Sequence, residues 1–339
     1  MTNAFQHIFS QEPTRISDGA YYFQTPVIPG FDLSYAPGNE VVSRALDPED
    51  SFTERKARSQ RELIVGCYES RDTQAPYDSR EGWRFQRFLQ GAEANQSIVD
   101  VIRRTAEKGA PFLDLGSYHM GLAPYILHLN PSTPCLLTNR DPHYVRVLGS
   151  CLPEKLGQHH ILAAFCDETA IPLRRQSIDT VTGVLPLSGA SQNRVIDSRS
   201  RSLDEMRQWC ILNVLLEVHR VLRPGGHFIF SEFSSSWHIA WAELSRFFEE
   251  HDTIYGRFAK EEFYELLRGY LNQETYGLHD AMIRVAGFDI EIKDSYSFKD
   301  AFENPLRAEY MADSSEPDPS DGLVWVEYTE SFYVVKKRP

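Results

Sequence analysis

Between Ala110 and Phe233 the chain alternates short apolar runs with stretches of helical periodicity, and this alternation constrains the fold more than any other feature. Five runs read as buried strands: "APFLDLG", "PCLLTNRDP", "HHILAAFCD", "SIDTVTGVLPLS" and "GGHFIFSEF". "GLAPYILHLN" reads as a helix with Leu122, Tyr125, Ile126 and Leu129 on one face, and Pro124 is tolerated in its first turn. "PHYVRVLGSCL" reads as a second helix. Residues Leu203 to Leu222 read as a long third one, with Met206, Cys210, Val214, Val218 and Val221 spaced for burial. Strands that alternate with helices in this way form a parallel sheet covered on both faces.

The flanks divide the chain into four parts. Residues 1–108 read as an N-terminal cap with helices. "DGAYYFQTPVIPGFDLSYAPG" holds aromatics and prolines that suit an ordered, irregular wrapping segment better than a disordered tail. A helix is expected around "SFTERKARSQRELIVGCYES". From Ser79 the spacing of Phe85, Phe88, Leu89 and Ala92, then Ile98, Val101 and Ile102, predicts helix to about Lys108, stopped by Gly109 and Pro111. Residues 109–235 form the core. Residues 236–278, rich in Trp237, Trp241, Phe247, Phe248, Tyr255, Phe258, Phe263 and Tyr264, read as a lid of two or three amphipathic helices. Residues 279–339 return to the sheet through "LHDAMIRVAGF", "DIEIKDSYSF" and "LVWVEYTESFYVVKKR", with "ADSSEPDPSDG" as an exposed loop.

The bulk numbers exclude several functions. The 339 residues are 42% apolar, enough for a large core. The net charge of −13 disfavours general nucleic-acid binding, which needs basic patches, and attachment to anionic membranes. No apolar run reaches the roughly 18 residues of a membrane span. The N-terminus lacks the layout of a signal peptide, so a cytoplasmic location is expected. Cys67, Cys135, Cys151, Cys166 and Cys210 include no CxxC or CxxH pair. They read as buried reduced thiols, and no metal site is expected.

Three segments carry a family resemblance. "LLEVHRVLRPGGHFIFSEF", Leu215 to Phe233, has a helix ending in an Arg-Pro-Gly-Gly turn before a strand. "FCDETAIPLRRQSIDTVTGVLPLS", Phe165 to Ser188, has an acid, then a proline with an apolar neighbour, then Ser-apolar-Asp-apolar-Val. "AGFDIEI" follows near the end. Together they resemble the class I S-adenosylmethionine-dependent methyltransferase superfamily over about residues 109–235 and 279–338. The resemblance implies an α/β, Rossmann-like, seven-stranded and mostly parallel sheet whose last strand is antiparallel. It also implies S-adenosyl-L-methionine as cosubstrate.

Ligands of open α/β sheets bind beyond the carboxyl ends of the strands, near the point where strand order reverses. The first core strand ends at Asp114–Gly116, where glycine permits close approach of the backbone. The family turn runs acid-x-Gly-x-Gly-x-Gly. Here only Gly116 keeps its place, Tyr118 stands at the second glycine and Met120 at the third. A tyrosine forced into a left-handed backbone costs roughly 1–2 kcal/mol, so the loop is expected to take another path, with Tyr118 projecting into the methionine end of the site. Asp114, Gly116, Ser117 and Tyr118 are the binding residues the resemblance implies at this turn. At the end of the second strand Asn139, followed by Arg140, stands where the family has the acid that holds the ribose hydroxyls. Neutral hydrogen bonds there net roughly 0.5–1.5 kcal/mol against 1.5–3 for charged ones. Cys166 and Asp167 match the position that accepts from the adenine amino group, and Asp167 also suits a helix N-cap. Leu185, Pro186 and Ser188 are candidate walls at the fourth strand end.

Three functions follow. The first is methyl transfer to a small molecule of a specialised pathway. Its catalytic candidates are Tyr118, whose ring would stabilise the cation, and His119 and His238 as bases. Trp237 and Tyr21 or Tyr22 are further aromatic neighbours. The aromatic insertion serves equally as a lid or as packing, internal or in a homodimer. The second keeps the cosubstrate and folds its methionine chain back, so that its own amine displaces methylthioadenosine and gives azetidine-2-carboxylate. The rewritten "SYHMG" half of the loop and Asn139 motivate it. The third is a non-catalytic binding protein on the same fold.

Overall fold

The computed structural model describes residues 5, 7–17, 19–23, 96–116, 123, 126, 129–130, 132–139, 145–146, 161–184, 186–187, 203–233, 253–254, 258–259, 278–302, 314–317 and 324–339. In chain order these give β1 (Arg15–Ser17), β2 (Ala20–Tyr22), α1 (Gln96–Lys108), β3 (Phe112–Leu115), β4 (Cys135–Asn139), β5 (Ile161–Phe165) and β6 (Ile178–Val184). There follow α2 (Leu203–Val221), β7 (Leu222–Phe233), β8 (Thr253–Ile254), β9 (Phe258–Ala259), α3 (Leu278–Val285), β10 (Phe288–Phe302), β11 (Ser314–Pro317) and β12 (Val324–Lys337). Helical residues also occur at 123, 126 and 129 and at 145–146, in the two stretches expected to be helices.

Seven strands lie in the order β5-β4-β3-β6-β7-β12-β10. β5, β4, β3, β6 and β7 pair in parallel. β12 is antiparallel to both of its neighbours, so β10 runs with the parallel set. The reversed last strand matches the sequence reading; the strand number does not. Among the described residues the sheet has ten strands, because β2 adds in parallel to β5, β1 pairs β2 as a hairpin, and β11 pairs β12. The hairpin signal was in the sequence: Ser17 pairs Ala20, and the Asp-Gly that separates them in the sequence is a dipeptide that favours hairpin turns. β11 lies inside the stretch expected to be an exposed loop. It pairs Val324–Glu327 of β12, beyond the point where β7 stops at Glu330, and so occupies backbone groups that β7 leaves. In the region read as a helical lid, the described residues form the small antiparallel pair β8–β9, and Leu278 already belongs to α3.

Alternation along the strands fills both faces. Leu113, Leu115, Val181, Phe228 and Phe230 join one core with α2, α3 and Phe5, Ile8 and Phe9 of the N-terminal segment. Their neighbours Phe112, Leu137, Ile229 and Val334 are equally buried on the opposite face. In α2, Val214, Val218 and Val221 are buried as expected, and so are Ile211, Leu212, Leu215 and Leu216. A helix this apolar over its circumference belongs in an interior. Lys337 of β12 donates to the carbonyls of His219 and Leu222 at 2.6 Å each, satisfying backbone acceptors where α2 ends.

The "RVLRPGG" turn is built differently from a simple helix-to-strand connection. β7 begins at Leu222, earlier than the Gly225 expected, and pairs Leu222 with Ile178 and His227 with Thr180. Four residues of β7, Arg223 to Gly226, therefore face the single residue Asp179. Arg223 donates to Asp179 at 2.8 Å. A Cβ on Gly226 would stand 2.8 Å from the Asp179 carbonyl oxygen, so only glycine lets the bulge close.

Candidate functional site

From β3 the chain steps outward through β4 to β5, then crosses back to β6 and β7. The switch in strand order falls between β3 and β6, and the crevice beyond their carboxyl ends is where this architecture binds ligands. Asp114 lies one residue from the end of β3, fully buried and directly opposite Thr182 of β6. The Thr182 hydroxyl donates to Asp114 Oδ1 at 2.6 Å, which fixes the carboxylate. Gly116 follows with φ +64°, a left-handed turn that favours glycine. The backbone thus leaves β3 with no side chain at the crevice.

Asn139 ends β4 and is buried. Its carbonyl accepts from the Cys166 amide at 3.2 Å, which draws the segment after β5 alongside the end of β4. Cys166 is buried, and burial first, then Glu168 and Asp167, push its thiol well up. It is a protonated, inert thiol at neutral pH. Asp167 is buried and caps a turn, not a helix. Its Oδ1 accepts from the Thr169 amide at 2.8 Å and hydroxyl at 2.5 Å, and its carbonyl accepts from the Ala170 amide at 2.9 Å. The N-cap expectation is corrected to this local turn, which the "Ile-Pro" that follows cannot continue as helix.

That turn is bolted to α2. Glu217 accepts from the Ile171 amide at 3.0 Å and from Arg220 at 2.8 and 2.9 Å. Arg220 also donates to the carbonyls of Leu173 at 2.7 Å and Ile171 at 2.6 Å. On the β6 side, Pro186 and Leu187 are buried and helical, and Pro186 packs against Gly183, where a Cβ would meet it at 3.1 Å. The Leu187 amide donates to Glu232 at the end of β7, at 2.9 Å, and Glu232 is fully buried.

Tyr118, His119, His238, Ser117, Arg140, Leu185, Ser188 and Trp237 lie outside the described residues. Tyr22 and Tyr21 are within them. Tyr22 is buried beside Phe165 at the carboxyl end of β5, with the Arg15 guanidinium 4.0 Å from its ring centre. Asp114, Gly116, Asn139, Cys166 and Asp167 are therefore brought to one end of the sheet. Sequence reasoning missed Thr182, Glu168 and Glu232. All three are polar residues at the buried ends of apolar runs, and that oddity was the available signal.

Asp114, Asp167, Glu168 and Glu232 set four buried carboxylates at the same end of the sheet. Such an array suits a ligand that brings positive charge or hydroxyl donors. Among the described residues no group of His, Cys, Asp and Glu is arranged to hold a metal ion, and no helix is long and apolar enough to cross a membrane.

No protein-family model matches the chain, and no curated protein matches it in sequence. Solved structures overlap with it. The YcgJ protein from Bacillus subtilis is 13% identical over 71% of this chain and 97% of that one, with a TM-score of 0.42. A protein of Bacillus halodurans C-125 described as a candidate methyltransferase is 14% identical over 70% and 99%, at 0.41. An S-adenosylmethionine-dependent methyltransferase from Mesorhizobium loti is 16% identical over 68% and 91%, at 0.34. With every score below 0.5, the fold rests on strand order and register.

Proposed function

We propose that this chain binds S-adenosylmethionine beyond the carboxyl ends of β3, β4 and β5 and transfers its methyl group to a small molecule, as a class I S-adenosylmethionine-dependent methyltransferase. The observation that carries the reading is the strand order with its reversed β12, its switch point between β3 and β6, and Gly116 in a left-handed turn at that point. The residues fit the cosubstrate. Gly116 leaves room for close backbone approach, and Asp114, Asp167 and Glu168 supply acceptors for a ligand with a sulfonium, an ammonium, an amino group and two hydroxyls.

The chemistry also fits the division of the site. In methyl transfer the sulfur–methyl bond breaks as the acceptor–methyl bond forms, S-adenosylhomocysteine leaves, and the acceptor's proton passes to a base or to water. Positive charge on sulfur falls as the reaction proceeds, so carboxylates held against it would favour the ground state. Acids that grip the adenosine and amino-acid ends avoid that penalty. Tyr118, His119 and His238 remain the proposed aromatic neighbour and bases.

The test is to incubate the protein with S-adenosylmethionine, with and without cell extract, and identify products by mass spectrometry. S-adenosylhomocysteine formed only with extract is the expected result. Methylthioadenosine formed without acceptor, above background, would replace this reading by internal displacement to azetidine-2-carboxylate. Neither product, with no binding, would leave a non-catalytic binding protein.

A further inference from the structure

We propose that Glu168 is the residue that holds the ribose diol of the bound nucleoside, in place of the acid that β4 lacks at Asn139. The proposal rests on the reading of the site given above. Glu168 follows Asp167 in the turn after β5, yet its carboxylate does not stay there. Among the described residues beyond its chain neighbours, the atom nearest the position a Cβ would take on Gly116 is Glu168 Oε1, at 3.7 Å. β4 lies between β5 and β3, so the side chain reaches across the end of β4 toward the turn after β3. The bond from the Cys166 amide to the Asn139 carbonyl brings the segment close enough for this.

Gly116, Asn139 and Glu168 consequently border one spot above β4. A carboxylate is an acceptor with two oxygens, and two vicinal hydroxyls are two adjacent donors; Asn139 offers a mixed amide that serves them less well. The turn is also rigid. Thr169 closes it onto Asp167, and Glu217 and Arg220 pin Ile171 and Leu173 to α2. Only 5% of Glu168 is exposed, so its carboxylate meets a ligand in a poorly hydrated place, where a charged hydrogen bond counts most.

Calorimetric titration of the full chain tests this with S-adenosylhomocysteine and its 2′-deoxy analogue. Wild type should bind the deoxy compound about tenfold to a hundredfold more weakly, the ratio a charge-assisted hydrogen bond supplies. Glu168→Gln should bind S-adenosylhomocysteine about tenfold more weakly, and should lose less than about threefold further on the deoxy compound. Adding Asn139→Asp to that variant should restore discrimination between the two ligands. Glu168→Asp, which withdraws the acid by one methylene, should behave like Glu168→Gln and serves if the latter unfolds. If Glu168→Gln discriminates as wild type does, whatever its overall affinity, Glu168 does not hold the diol, and the cosubstrate reading stands. If folded wild type binds neither ligand, both readings fall.

Discussion

Gly116 is where the backbone of the proposed site takes a left-handed turn. Its φ of +64° costs a residue with a Cβ roughly 1–2 kcal/mol, although the space beside it would admit a methyl group. Gly116→Ala should therefore lower unfolding stability in urea by about 1–2 kcal/mol through strain alone, without the larger loss an overpacked core would bring. At this scale the sequence was legible where one residue type in one register sufficed: Asp114, Gly116, Asn139 and Asp167 all sit at strand ends. Glu168 was not legible, because the direction of its side chain depends on the Asp167–Thr169 turn and on where β4 lies between β5 and β3. Thr182 was hidden similarly, since its partner Asp114 is 68 residues away in sequence.

The elements that frame the site are held by two devices. The first is the bulge of Arg223 to Gly226 over Asp179. Gly226→Ala would press a methyl group to 2.8 Å from a backbone oxygen that no side-chain rotation can move. It should destabilise the fold by about 1–3 kcal/mol, read by thermal or chemical unfolding. The second is the Glu217–Arg220 clamp on the turn after β5. Arg220→Met keeps much of the side chain's bulk but removes the guanidinium from Glu217 and from the carbonyls of Ile171 and Leu173, leaving Glu217 only the Ile171 amide, a loss of roughly 1–3 kcal/mol. Because the clamp fixes the turn that carries Asp167 and Glu168, the same variant should also weaken binding of S-adenosylhomocysteine in a titration. The arginine, proline and glycines of the bulge were visible in the sequence as a turn; their pairing inside β7 was not, because the register shift is set by Asp179 on another strand.

Across the whole molecule, alternation of strands and helices predicted the parallel core, and the reversed β12 followed from the resemblance. β11 and the β8–β9 pair escaped prediction because strands of two to four residues carry too little periodicity to separate from turns, and the N-terminal hairpin had only its Asp-Gly dipeptide to mark it. Global stability adds a pH signature. Desolvation, opposed by Asp280 and aided by Lys293, lowers half-buried His279 from its ordinary 6.5 to about 4. Above pH 6.5 the imidazole is neutral in both folded and unfolded chains and contributes nothing. Between 6.5 and 4 the unfolded chain takes up a proton that the folded one refuses, so stability falls as pH falls. Unfolding free energies measured from pH 4 to 7 should fall less steeply toward acid in His279→Gln than in wild type.

The central claim is that the site proposed beyond the carboxyl ends of β3, β4 and β5 is a nucleoside site with an acidic lining. Calorimetric titration of S-adenosylhomocysteine into wild-type protein tests it most directly. The expected result is one saturable site per chain, weakened at least about tenfold by Asp167→Asn, since a charged acceptor is replaced by a neutral one. Absence of binding to folded wild-type protein, or binding indifferent to Asp167→Asn, would contradict it.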